Sequence, residues 1–151
     1  MADQNPFQGN KIANLISLKL DDSNFKQWKQ QISGVIRGLD LQKYITNPEI
    51  PAKFLTNEDL ASGTVNPLYL QWEKHDALIC TWILSTISDS HSLLAKVVDF
   101  TYSSQVWDAI HQHFDTLLTT TARQLRSELR SLKKGDRTIT EFIKRVRVIN
   151  E

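Results

Sequence analysis

Apolar side chains recur at steps of three and four along most of this chain, the spacing that gathers them on one face of an α-helix. Phe25, Trp28, Ile32, Val35 and Ile36 form the first such stripe, predicting a helix from about Phe25 to Arg37. Ser23 or Asn24 is placed to cap it, Gln27 to reach back from the third helical position, and Gly38 to stop it. Gly34 and Gly38 share a face where a neighbouring backbone would have room to approach. Leu41 to Ile45 predicts one further turn. Ahead of the helix, Ile16, Leu18 and Leu20 alternate with polar residues, the signature of a brief strand or an extended lead-in.

The pattern then lapses. From Thr46 to Asn66 the chain carries Pro48, Pro51, Gly63 and several Asn, Thr and Ser residues, a long surface loop in which Glu58 to Ser62 is long enough for one short helical turn. Asn66 as cap and Pro67 at the first helical position open the second long helix. Its stripe is Leu68, Trp72, Ile79, Ile83 and Ile87, widened by Leu78 and Trp82, and so much apolar surface predicts a central helix. Asp89 and Ser90 end it. His91 to Val98 reads as a short helix, and Ser103 as the cap of another that carries Val106, Trp107, Ile110 and Phe114. A separate helix is expected to start at Thr119 to Thr121, with Ala122, Leu125, Leu129 and Leu132 inward and Lys133, Lys134 and Gly135 closing it. Thr138-Ile-Thr-Glu141 is a capping box for a last helix, with Ile139, Phe142, Ile143, Val146 and Ile149 on its apolar face. The fold class expected is all-α, a compact lobe of about six to seven helices with a short extended segment at the N-terminus. Because the final apolar face breaks off at the end of the chain, the expectation is a piece of a longer polyprotein.

At 151 residues, length fits about one domain, and the apolar share of 40% suffices for a real core. The net charge of +1 hides an asymmetry: residues 1–118 hold nine basic and thirteen acidic side chains, residues 119–151 nine and four. A basic helical tail therefore follows an acidic body. The division expected is a flexible or extended lead-in over 1–19, a helical lobe over 20–118 and a basic helical segment over 119–151. One cysteine, Cys80, excludes an internal disulfide framework and sits in an apolar run as a small core residue. No stretch approaches the length of a membrane span, no secretory signal opens the chain, and no N-x-S/T site occurs, so a cytoplasmic setting is expected.

Reactive constellations are hard to assemble from these residues. His111 and His113, two apart on a helix, point to different sides, and His75 beside Trp72 fits a hydrogen-bonded structural role. Ala61-Ser62-Gly63-Thr64 lacks the carboxylate of an aspartic-protease motif, no nucleotide-binding glycine fingerprint occurs, and Asp89-Ser90-His91 is adjacency rather than a triad. The reading is no enzyme, no cofactor, no metal, no small-molecule substrate and no membrane partner.

Asn24-Phe25-x-x-Trp28, then Trp72 with Asp76 and Ile83, then Ser104-x-x-Trp107-Asp-Ala-Ile-x-x-x-Phe114, then Leu125-Arg-x-Glu-Leu129-x-x-Leu-Lys-Lys-Gly-Asp136-x-x-Ile139-x-Glu-Phe142 follow one another in this order. In that order and spacing the chain resembles the Gag polyprotein of copia-type LTR retrotransposons, from Leu20 onward. The family commonly has Thr-Ala where Ser103-Ser104 stands here. The resemblance implies a capsid-like N-terminal lobe to about Phe114 and the opening helices of a second lobe, which in the family drives self-association. The family's zinc knuckle, C-x2-C-x4-H-x4-C, is absent, so no RNA site of that kind is present in this sequence.

A second activity is suggested by Arg123, Arg126, Arg130, Lys133, Lys134 and Arg137, whose spacing lines one helical edge beside the Leu125 and Leu129 stripe. That edge is suited to RNA phosphates, to an acidic surface on the next subunit such as that carrying Asp21, Asp22 and Asp40, or to plain solvation with Glu128 as local partner. The tryptophans Trp28, Trp72, Trp82 and Trp107 are expected in the core, an exposed one marking instead a contact between subunits. Three functions follow from the sequence: a capsid-forming Gag fragment that self-assembles into virus-like particles around element RNA, an RNA-binding module acting through 123–137, or a host-domesticated Gag that restricts or transports retroelement particles.

Overall fold

The computed structural model describes residues 15–89, 92–132 and 139–150. They form seven helices and no strand: α1 (Phe25–Gly38), α2 (Gln42–Ile45), α3 (Asn57–Ser62), α4 (Pro67–Ser85), α5 (Ser92–Val97), α6 (Ser103–Leu132) and α7 (Ile139–Asn150). The all-α expectation holds, and the helices expected from Phe25, Leu41, Pro67 and His91 appear close to their expected bounds. No helix among the described residues is long and apolar enough to cross a membrane. The chain divides into two compact units, one through Ile110 and one from His111.

In the first unit α1 buries Trp28, Ile32 and Ile36, while Phe25 and Val35 lie at the margin of the stripe. α4 buries Tyr69, Trp72, His75, Asp76, Ile79, Cys80, Trp82 and Ile83. Its face is thus rotated from the expected one: Leu68 is 64% and Leu78 is 41% exposed, and Tyr69 takes the place given to Leu68. Leu93 and Val97 from α5 and Val106, Trp107 and Ile110 from α6 complete the core. Each fully buried aliphatic residue contributes about 1.5–3 kcal/mol relative to exposure.

The lead-in is extended rather than a strand. Leu20, fully buried, makes one isolated parallel bridge with Ile87, its N–H donating to the Thr86 carbonyl (2.8 Å) and its carbonyl accepting from Ser88 (3.0 Å). Ile87 is buried through this bridge and not as part of α4.

Two helix ends differ from the sequence reading. Asn24 precedes α1, but its side chain does not cap that helix; it accepts from the Asp21 N–H (2.9 Å) and donates to the Lys19 carbonyl (2.8 Å), shaping the turn that enters the helix. Ser23 is likewise engaged upstream, with Asp21. At the other end Gly38 is the last helical residue, and the stop is made by Asp40 at φ 60°. Asp40 donates its N–H to Arg37 and Leu41 to Ile36 (2.8 Å), the paired bonds of a Schellman turn, with Leu41 and Ile36 both buried. An added Cβ at Gly34 or Gly38 would meet nothing within 4 Å, so no backbone approaches that face.

The 46–66 segment is anchored at its base. Asn66, buried, donates its backbone N–H to the Lys53 carbonyl (2.8 Å) and its side-chain amide to the Ala52 carbonyl (2.8 Å), while its side-chain oxygen caps α4 at Leu68 (3.1 Å). Thr56 caps α3, and Gly63 at φ 73° ends it in the left-handed conformation that glycine adopts freely.

The second unit holds the distal part of α6 and α7. The expected helix start at Thr119 to Thr121 does not occur, because α6 runs unbroken from Ser103 to Leu132. Threonine is a modest rather than a prohibitive helix residue, and the hydroxyls of Thr119 and Thr120 bond back to the carbonyls of Asp115 and Thr116 within the helix (3.0 Å each). Phe114 is buried, Leu125 half-buried, and Ala122, Leu118 and Leu129 exposed, so this stripe is less inward than its pattern suggests. The cap at Thr138 and the residues Lys133, Lys134, Gly135 and Arg137 lie outside the described residues, as do the side chains of Leu132, Ile139, Phe142 and Ile149.

Candidate functional site

The aromatic motif residues converge inside the first unit. Trp28, fully buried, has its ring centroid 6.1 Å from Phe25 and 6.0 Å from Trp107. Its indole N–H donates to the Thr86 hydroxyl (3.1 Å), which in turn donates to the Ile83 carbonyl (2.6 Å). Thr86 also offers its own carbonyl to Leu20, so one residue just past α4 ties together the lead-in, α1 and α4. All four tryptophans are buried, as core packing requires. The Trp72 indole N–H makes no hydrogen bond, so that ring acts through packing: its centroid lies 6.3 Å from Tyr44, 6.1 Å from Tyr69 and 5.3 Å from Tyr102.

A polar junction is buried beside this cluster. Asp76, 1% exposed, accepts from the Ser103 backbone N–H (3.2 Å) and from the Ser103 hydroxyl. Ser103 is therefore not a capping acceptor as its sequence position suggests; its hydroxyl points as a donor to Asp76 and, at 3.4 Å, to the Tyr44 carbonyl. The acceptor at this helix start is Gln105, whose side-chain oxygen takes the N–H groups of Thr101 and Tyr102 (3.1 Å each). A carboxylate at the N-terminus of α6 satisfies an N–H group that the helix leaves unpaired and complements its dipole. Burial raises the Asp76 carboxyl above its ordinary range, with the two Ser103 donors pulling the other way. Nearby, the Tyr44 hydroxyl meets His75 Nδ1 (3.1 Å), which gives His75 its hydrogen-bonded structural place.

Two further groups titrate away from their usual values. Burial, reinforced by the Asp76 charge, pushes the Cys80 thiol up, which keeps it an inert core residue. The Tyr69 hydroxyl is pushed up to about 12 by its hydrogen bond to Tyr102, by burial, and by the charges that Tyr102 and Glu73 would carry. No group of three or more His, Cys, Asp or Glu side chains suited to a metal is found among the described residues.

Asp76 belongs to the sequence motif, yet its role was legible only as an acidic residue on an otherwise apolar face, four residues after Trp72. Such a carboxylate needs a partner, but nothing in the linear pattern names Ser103.

The basic edge is a surface feature of α6. Arg123, Arg126 and Arg130 are exposed on one continuous helix. Glu128, read from sequence as a partner for that edge, instead accepts from Arg145 of α7.

The first unit is thus a packed helical block centred on tryptophans, with a buried carboxylate joining two of its helices. Comparison with known proteins gives that block a context. Over 125 residues (83% of this chain) it is 26% identical to the "Retrovirus-related Pol polyprotein from transposon RE1" of Arabidopsis thaliana. Over 96 residues (62% of the chain) it is 30% identical to the "Retrovirus-related Pol polyprotein from transposon RE2" of the same plant. The chain is thus distantly related to retrotransposon polyproteins, of which the aligned residues span 8% and 6% of the length. No protein-family model matches, and no solved structure gives a significant match.

Proposed function

We propose that this chain is a Gag-type structural segment of a copia-type retrotransposon polyprotein, a capsid building block that self-associates into particles enclosing element RNA. The observation that carries the reading is the relation to retrotransposon polyproteins over 83% of the chain, on a fold that buries the motif aromatics Trp28, Trp72, Trp107 and Phe114. A stiff unit repeated many times turns weak contacts into a stable shell. On this reading the chain is not an enzyme, takes no cofactor, and works in the cytoplasm with copies of itself as partner. Light scattering and negative-stain microscopy on a longer expressed chain test it: concentration-dependent particles are expected, and strictly monomeric behaviour would overturn it.

The exposure of Arg123, Arg126 and Arg130 along one helix favours a second role, RNA contact by this edge. A domesticated Gag would share both properties, and reading the flanking reading frame for protease, integrase and reverse transcriptase separates it from a live element.

A further inference from the structure

Two surfaces of the chain are apolar and exposed, one flanked by Glu58 and Asp59 with Lys53 in its lining, the other flanked by arginines. The first surrounds a hollow of about 550 Å³ lined by Lys53, Phe54, Leu55, Thr56, Asn57 and Leu60. Leu55 and Leu60 are 66% and 60% exposed, an unusual position for two leucines held on one short anchored segment. The hydrogen bonds from Asn66 hold this segment against the start of α4, where Leu68 is also exposed, so the surface is a fixed one. Lys53 lies over the rings of Phe54 and Tyr69 (5.7 and 5.9 Å), and the first turn of α3 presents Glu58 and Asp59.

The second surface is the distal face of α6. Leu118 is 60% and Leu129 is 43% exposed, and with half-buried Leu125 they sit at steps of seven and four, one stripe of the helix. Arg123, Arg126 and Arg130 border it. A symmetric pairing of two such faces would set basic edge against basic edge, whereas at the α3 surface the two carboxylates of Glu58 and Asp59 outnumber the one lining cation, Lys53, and offer complementary charge. The same asymmetry holds for the whole chain, acidic over 1–118 and basic over 119–151.

We infer that the Leu55 and Leu60 hollow of one copy receives the Leu118 to Arg130 face of α6 from a second copy, a head-to-tail contact between unlike surfaces. The inference rests on the self-assembly reading and names its contact. Because the two surfaces differ, each copy has one of each to offer, and the contact propagates into rings or filaments instead of stopping at a dimer.

Sedimentation velocity on the full 151-residue chain tests it with two variants, Leu55→Gln/Leu60→Gln in the hollow and Leu118→Asp/Leu129→Asp on the helix, each checked for helicity by circular dichroism. The unsubstituted chain is expected to self-associate as concentration rises, about tenfold more weakly at high than at low salt, since the bordering charges are screened. Each variant alone is expected to stay monomeric, and an equimolar mixture to form a one-to-one heterodimer through the intact half that each retains. A hollow variant that associates like the unsubstituted chain, or a mixture that stays monomeric while the unsubstituted chain assembles, overturns this contact and leaves the capsid reading standing. An unsubstituted chain that never associates overturns both.

Discussion

Ser103 donates both its backbone N–H and its hydroxyl to the carboxylate of Asp76, and the pair fixes where α6 begins against the middle of α4. The arrangement places a carboxyl group at a helix N-terminus inside the protein, where the unpaired N–H group and the helix dipole offset part of the cost of burying its charge. The Tyr44 carbonyl shares the same hydroxyl, so the end of α2 is drawn to the same point. Three elements separated by long stretches of sequence are thereby given one relative placement.

Replacing Asp76 by alanine is expected to destabilise the chain by about 1–3 kcal/mol, because it strands the buried Ser103 N–H and leaves the Ser103 hydroxyl only its long contact with the Tyr44 carbonyl. Asp76→Asn keeps one acceptor and should cost less. The pH dependence separates charge from shape. With the folded carboxyl raised above its unfolded value, its contribution is fully present below the ordinary carboxylate range and is lost as pH rises through the folded value. Urea denaturation should therefore show the unsubstituted chain gaining stability relative to Asp76→Asn as pH falls from neutral toward 4. A difference that does not change with pH would contradict the assignment.

Thr86→Val preserves shape and removes the hydroxyl that accepts from the Trp28 indole. The stranded N–H lies beside a fully buried ring, so a loss of about 1–3 kcal/mol is expected by chemical denaturation. Thr86→Ser, which restores the acceptor, should recover most of it.

How much of this was legible in the sequence depends on the range of the interaction. Asn66 and Pro67 opened α4 where local chemistry said they would, and the short helical turn expected over Glu58 to Ser62 is present as α3. The alternation of Ile16, Leu18 and Leu20 marked the face that turns inward, since all three are less exposed than Leu15, Ser17 and Lys19, but it did not single out Leu20 as the buried one. What the pattern could not carry was long-range partnership. Ser103 has the composition of a cap and is recruited as a donor by Asp76, 27 residues away. Tyr69 and Tyr102 entered none of the stripes, since tyrosine counts as polar or apolar only once its hydroxyl has a partner. At Thr119 to Thr121 a run of weak helix formers resembled a boundary, yet a helix already propagating continues through such residues at small cost. Of the candidate basic edge, only the exposure of Arg123, Arg126 and Arg130 is described by the structure.

Gly34→Ala should raise stability by about 0.5–1 kcal/mol, the ordinary gain from replacing an interior helical glycine. The new methyl group meets no atom within 4 Å, so no steric cost opposes the gain. A rise of a few degrees in melting temperature is the expected readout, and a fall would mean that the α1 face is covered.

Tyr69 should ionise near 12 in an alkaline titration followed by tyrosinate absorbance. Its folded value lies above the ordinary 10.0, so its contribution to stability is complete below about pH 10 and disappears as pH rises toward 12. Tyr102→Phe removes the hydrogen bond that contributes most to the shift, and the Tyr69 midpoint should move down toward its ordinary value. An unchanged midpoint would assign the shift to burial instead.

Reversing Arg123, Arg126 and Arg130 to glutamate discriminates between uses of the basic edge. If the edge binds RNA phosphates, affinity for single-stranded RNA should be lost, along with most of the dependence of binding on salt, since each neutralised phosphate releases counterions. Fluorescence anisotropy with labelled RNA across a salt series measures both. The three side chains are exposed on an intact helix, so the folded state should survive, with a melting temperature close to that of the unsubstituted chain. RNA binding that persists with an unchanged salt slope would remove this face from RNA contact and leave it to protein partners alone, where the same triple change should weaken self-association by setting like charges against Glu58 and Asp59 of the next copy.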